Sequence, residues 1–301
     1  MTTQHIALKF QVGARTLATI PRQLVRVSYS LADALAAKPL PIPPLPTGAD
    51  GYLLTSVPDV ALAEIESGGL LRFVRQRYLR YHVDLHAGVD AWMASLSASA
   101  RSGMKRKAKK LAAANGGLLD IRPYHDAEAF ADFHPLARAV SRTTYQEKLL
   151  GSGLPDDASS VRHLASLAAQ DRLRAWLLFL DGTPVAYLCC TADGDSLCYT
   201  YVGHDPAHND LSPGAVLQVE AMHELFVEGR FARFDFTEGE GQHKRQFSTG
   251  GTACADVLLL RATVVNHGVV GALRGFDGAM AMAKRAAMHP VLARLAKKVR
   301  R

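Results

Sequence analysis

Three apolar runs, "RLRAWLLFLDG", "TPVAYLCCTADG" and "SLCYTYVGHD", lie within residues 172–205, two of them closed by Asp-Gly pairs, and restrict the fold more than any other feature. Each run is short enough for a strand, and Asp-Gly between such runs favours a tight hairpin. Strands joined this way form an antiparallel meander, which argues against a doubly wound parallel sheet. Cys189 and Cys190 are adjacent in the second run, where strand geometry sends them to opposite faces. With Cys198 and Cys254 they make no C-x-x-C spacing, so they read as small buried fillers, with no disulfide framework and no metal signature. Such cysteine usage sets a reducing cytoplasm as the default compartment.

The flanks supply helices. Upstream, "GLLDIRPY" reads as a strand, "DAEAFADFHPLARAVSR" as a helix capped by Asp126, and "PDDASSVRHLASLAAQD" as another helix. Downstream, "SPGAVLQVEAMHELFVEG" opens with Ser212 at the N-cap and Pro213 at the first helical position, and stops at Gly229. Val216, Val219, Met222, Leu225 and Phe226 form its apolar stripe. "FARFDF" and "VLLLRATVV" then read as strands. This order predicts an α+β fold, a mixed sheet flanked by helices.

The first part of the chain is β-rich, with two or three strands over residues 5–30 and two more in "GYLLTSV" and "LLRFVRQRYLRYHVDL". Between them five prolines in residues 39–46 allow neither helix nor central strand. From Asp90 to about Asn115 the pattern is helical and ends at "NGG". Met104, Ala108 and Leu111 form its apolar stripe, while Arg101, Lys105 and Lys109 stack at i, i+4 with no acids between them. That cationic face reads as a solvated surface or an anion-binding one. The organisation expected is a β-rich lobe over 1–89, a main domain over 90–268 and a basic helical tail over 269–301. The tail is expected to pack or to lie on an anionic membrane surface.

The chain carries 35 Lys+Arg against 28 Asp+Glu, a formal charge of +7. That excess favours anionic partners such as coenzyme phosphates, nucleic acid or an acidic membrane. No apolar run approaches the roughly 20 residues of a membrane helix, and the first residues lack a signal-peptide pattern, so a soluble protein is expected.

Packing does not ask for the order of residues in "DFTEGEGQHKRQF", residues 235–247. Glu238 and Glu240 alternate with glycines, which let the backbone turn sharply, and His243 and Lys244 follow. Acids with a histidine supply bases near neutrality, and a lysine holds a phosphate or polarises a carbonyl. The turn at Ser212, Gly214 and Ala215 presents helix N-terminal amides to a pyrophosphate.

From residue 90 to about 260 the sequence resembles the GNAT acyltransferase superfamily, in its two-lobed Fem-type and CelD-like branch. The resemblance rests on Asp235, Glu238, Glu240, His243, Lys244 and Phe247 in that order, on the meander, and on the basic helix in "SLSASARSGMKRKAKKL". It departs at "NDLSPGA", which has one glycine where most members have a glycine-rich loop. The resemblance implies a GNAT-like mixed sheet, with residues 1–89 as a second, degraded lobe. It implies N-acyl transfer from acyl-CoA to an amine on a sugar, amino acid or lipid or polysaccharide precursor, without a metal. Glu238, Glu240, His243, Lys244 and Tyr201 are then the catalytic candidates. Tyr199, Val202, Ser212, Gly214 and Ala215 are the cofactor-binding candidates, and Arg101, Lys105, Asp235 and Phe247 the substrate or anion-binding ones. Tyr199 and Tyr201 are expected on one face of their strand. The alternatives are a Fem-type transferase that uses aminoacyl-tRNA, held by helix 101–110, and a non-catalytic nucleic-acid or membrane-surface module. The expected place is the cytoplasm, including the inner face of the membrane.

Overall fold

The computed structural model describes residues 3–12, 15–144, 147, 153–239 and 241–288. Glu240 and the basic end of the tail, residues 289–301, lie outside the described residues. Contacts divide the chain into two compact units, Met1–Tyr29 with Ala37–Arg77 and Ala255–Arg301, and Ser30–Ala36 with Tyr78–Cys254.

In the first unit β1 (Thr3–Val12) and β2 (Arg15–Ser28) form an antiparallel hairpin, and β2 pairs in parallel with β3 (Gly51–Pro58). The strand order continues through the second half of β10 (Gly250–Leu260) to the first half of β4 (Leu71–Asp84). Leu8, Phe10, Leu24, Phe73, Leu258 and Leu260 pack against Val269, Val270 and Leu273 of the C-terminal helix, Val264–Met288. The last strand ends earlier than its apolar run suggests. Thr263 Oγ1 accepts from the Asn266 amide at 3.2 Å and caps a helix there, so Val264 and Val265 are exposed rather than paired. The proline run takes up neither helix nor strand, and Tyr52 Oη donates to the Pro43 carbonyl at 2.5 Å.

The second unit holds β5 (Asp120–Tyr124), β6 (Leu173–Leu180), β7 (Thr183–Asp193), β8 (Ser196–His204) and β9 (Arg233–Asp235). With the second half of β4 they run in the order β4-β9-β8-β7-β6-β5. The pairs are antiparallel except β8–β9, which is parallel. Asp181 and Gly182 both take positive φ in the β6–β7 turn, as a two-residue hairpin requires.

Among the described residues six helices belong to this unit besides α1 (Leu31–Leu35). They are α2 (Val89–Ser95), α3 (Ala98–Ala114), α4 (Ala127–Thr143), α5 (Ala158–Ala169), α6 (Pro213–Glu228) and α7 (Gln242–Phe247); the helix at Val264–Met288 is α8. Where the sequence suggests one helix from Asp90 to Asn115 there are two. Leu96 takes an extended conformation, and Ser97 restarts the helix by accepting from the Ala100 amide at 3.1 Å.

β6 shows how the sheet is clothed. Leu173, Ala175, Leu177 and Phe179 face α4 and α5, while Trp176 and Leu178 face α2, α3 and α6. A leucine or phenylalanine side chain among them contributes roughly 1.5–3 kcal/mol on full burial. Cys189 falls in one layer and Cys190 in the other, as the alternation requires. No helix among the described residues is long and apolar enough to cross a membrane.

Candidate active site

β8 and β9 pair only over Ser196–Cys198 and Arg233–Asp235 among the described residues, and beyond that point β8 has lost this neighbour. Just past it, β8 carries a bulge. Cys189 opposes Tyr201 and Cys190 opposes Tyr199, so Thr200 is the extra residue. The bulge overturns the expected sharing of a face: Tyr199 packs in the α6 layer and Tyr201 in the α4 layer. Val202, on the same strand, joins Tyr199 in the α6 layer. Burial raises the pKa of both phenols and keeps them protonated. It also lifts the Cys189 and Cys198 thiols to about 12, which leaves neither as a thiolate nucleophile at neutral pH. Gly203 is required by packing, since a Cβ there would sit 2.7 Å from Thr144 Cγ2.

Asp235 ends β9 fully buried. Arg80 on β4 reaches it through Nε, 3.2 Å from both carboxylate oxygens, and Nη2, 2.5 Å from Oδ2. The Thr237 amide donates to Oδ1 at 2.8 Å. Asp235 therefore anchors the turn that follows rather than facing a cleft. Thr237 and Gly239 take positive φ in that turn, and Lys244 Nζ closes it by donating to the Glu238 carbonyl at 2.6 Å. The second half of the motif is helical, as α7. His243 stands on its first turn, with its ring 6.0 Å from that of Tyr199 and 6.4 Å from that of Phe236. Burial first, then the Lys244 charge, lowers the His243 pKa, so the imidazole is neutral at neutral pH.

A cleft of about 930 Å³ opens between α3, α6 and α7, and His243 lies on its wall. Lys105, Arg106 and Lys107 of α3 line one side, Ala215 and Val219 of α6 another, and Gln242 and Arg245 of α7 a third. Phe247 also lines it but is mostly buried, and its carbonyl accepts from Trp92 Nε1 at 2.8 Å. Arg101 does not join the cationic wall. Its Nη1 donates to the carbonyls of Met93, at 3.2 Å, and Leu96 at the end of α2, where a cation offsets the helix dipole.

Ser212 differs from a conventional cap. It sits in the left-handed region, φ 55°, and its side chain makes no capping bond. Its carbonyl accepts instead from the Ala215 and Val216 amides at 3.1 and 3.2 Å. Pro213 has no N–H, so the Gly214 amide is what this end of α6 offers an anion. A Cβ at Gly214 would meet His204 Nδ1 at 3.2 Å. Local sequence gave no sign of Arg80, Trp92 or Gln218 as parts of this site. Among the described residues no group of His, Cys, Asp and Glu is placed to hold a metal ion.

Residues 98–245 match the family model for the acetyltransferase (GNAT) domain. No curated protein matches the sequence. FemX is 11% identical, with 86% of this chain and 89% of that one covered at a TM-score of 0.50. The C-terminal domain of an Agrobacterium fabrum protein named as a lysylphosphatidylglycerol synthetase is 13% identical, with coverage of 80% and 73% and a TM-score of 0.50. A Bacteroides thetaiotaomicron protein of unknown function is 10% identical, with coverage of 69% and 70% and a TM-score of 0.51. At such identities the likeness is one of fold. The strands that part beside a helix N-terminus lie within residues 98–245, the part of this chain that matches the acetyltransferase (GNAT) domain model.

Proposed function

We propose that this domain transfers an acyl group from a donor held in the α3–α6–α7 cleft to an amine. The observation that carries the reading is the neutral imidazole of His243, exposed on the wall of a cleft whose opposite side is Lys105, Arg106 and Lys107. The cations and the Gly214 amide suit the phosphates of acyl-CoA, with Val202 and Tyr199 beside the acyl arm. In the reaction the amine attacks the acyl carbon, the C–N bond forms and the C–S bond breaks. His243 takes the proton the amine loses, with Glu238 or Glu240 as the second base. The phenol of Tyr199, kept protonated by burial and with its ring beside that of His243, returns a proton to the leaving sulfur, whereas Tyr201 packs in the α4 layer. Lys244 holds the turn that presents these groups.

Aminoacyl-tRNA is the second donor to test. The exposed cations of α3 and the fold shared with FemX favour it, and the reaction then breaks a C–O bond in place of C–S. Calorimetry with acetyl-CoA and a longer acyl-CoA decides between them. Micromolar binding that Gly214→Trp removes supports the coenzyme. No binding at millimolar ligand discards it and makes charged tRNA the donor to assay.

A further inference from the structure

Gln218 lies on the second turn of α6 and is 4% exposed. Its Oε1 accepts from Tyr199 Oη at 3.4 Å, while its Nε2 is buried with no hydrogen-bond partner among the described residues. A buried amide N–H without a partner costs about 1–3 kcal/mol, so a folded protein retains one where something else supplies the acceptor. Tyr199 locates the orphan. It is the first residue of β8 past the last β8–β9 pair, and its ring packs on Phe234, Phe236 and His243. The unpaired amide is thus next to the parting strands and one residue removed from the proposed base.

We propose that the Gln218 carboxamide donates its free N–H to the acyl carbonyl of the transfer donor, the C=O carbon that the amine attacks. This rests on the acyl-transfer reading and adds to it the group that recognises the electrophile. An amide has no formal charge to desolvate, and a carbonyl is the acceptor a buried N–H2 takes without a counter-ion. The same contact serves the thioester of acyl-CoA and the ester of an aminoacyl-tRNA, because both present this carbonyl. As the amine adds, the carbonyl oxygen gains negative charge and the bond strengthens. The contribution is therefore larger in the transition state than in donor binding. Tyr199 holds the other end of the carboxamide and fixes which atom points where.

The test compares Gln218→Glu with Gln218→Leu and Tyr199→Phe in transfer assays with acetyl-CoA, and with aminoacyl-tRNA in a parallel arm. Calorimetric affinity for free CoA serves as the control. Glutamate keeps an acceptor for Tyr199 and loses the N–H. A role confined to holding Tyr199 leaves Gln218→Glu near wild type, and that result overturns the proposal. Donation to the carbonyl predicts that both Gln218 variants lose about tenfold or more in kcat with little change in KM, and that free CoA affinity stays within twofold. Equal losses of free CoA affinity overturn it as well, because free CoA has no acyl carbonyl. Whichever arm shows the loss names the donor. If the wild-type protein transfers from neither donor, the acyl-transfer reading and this contact fall together; wild-type transfer with unaffected variants removes this contact alone.

Discussion

Arg80 and Asp235, 155 residues apart, form an ion pair with Nη2 and Oδ2 2.5 Å apart and both side chains buried. The pair ties the middle of β4 to the end of β9, and through the Thr237 amide it sets the start of the turn that carries Glu238. Removing one partner leaves a buried charge alone, at about 3–5 kcal/mol. Arg80→Met and Asp235→Leu are each expected to lower the unfolding free energy, measured by urea titration, by that amount. The double variant should cost less than the sum, because no unpaired charge remains. Additive losses would show that the two residues act independently.

His243 gives the site a pH dependence of known sign. Burial and the Lys244 charge disfavour its protonated form, so its folded pKa lies below the unfolded value near 6.5. Between those two values the unfolded chain binds more protons, and stability falls as pH drops through the window. Activity by a neutral base should follow the folded value, so the acid limb of kcat/KM is expected below pH 6.5. Lys244→Gln removes the second cause and should move that limb upward. A limb above 6.5, or one that Lys244→Gln moves down, rejects His243 as the base.

How much of this was legible in the sequence depends on the range of each interaction. Asp126 and Asp157 cap α4 and α5 through bonds three residues away, and Gly229 ends α6 in the left-handed region; these are local and follow from residue type. The meander and its turns are equally local. Tyr199 and Tyr201 were misplaced because a bulge at Thr200 is a matter of how β8 fits β7, which alternation along one strand does not reveal. Asp235 resembled a ligand group from its motif alone, and only Arg80 on a distant strand shows its carboxylate to be occupied. Arg101 matched the spacing of a cationic face, yet the break at Leu96–Ser97 leaves carbonyls that draw its guanidinium away.

Lys105, Arg106 and Lys107 are exposed along one wall of the cleft. Reversal of two of them, in Lys105→Glu/Lys107→Glu, is expected to weaken donor binding at least tenfold at low salt, with little effect on folding because exposed charges contribute little to stability. The salt dependence identifies the donor. Binding of a tRNA should fall steeply between about 50 and 200 mM salt and lose part of that slope in the variant, whereas a coenzyme with few phosphates falls gently. Unchanged affinity for both ligands would remove α3 from the site.

Trp92 connects the interior of the unit to the same helix as His243. It is fully buried on α2, its ring lies 6.4 Å from that of Phe247, and its Nε1 donates to the Phe247 carbonyl at the end of α7. Trp92→Phe keeps much of the packing but leaves that carbonyl unpaired, for about 1–3 kcal/mol. Trp92→Ala adds a cavity, and the total rises to roughly 3–5 kcal/mol. Since α7 has six residues and little intrinsic stability, loss of its C-terminal tether should reach His243 before it reaches the sheet. The expected result for Trp92→Phe is faster amide hydrogen exchange confined to residues 241–248 and a fall in kcat larger than the loss of global stability predicts. Uniform acceleration of exchange across the unit would show instead that Trp92 supports the core alone.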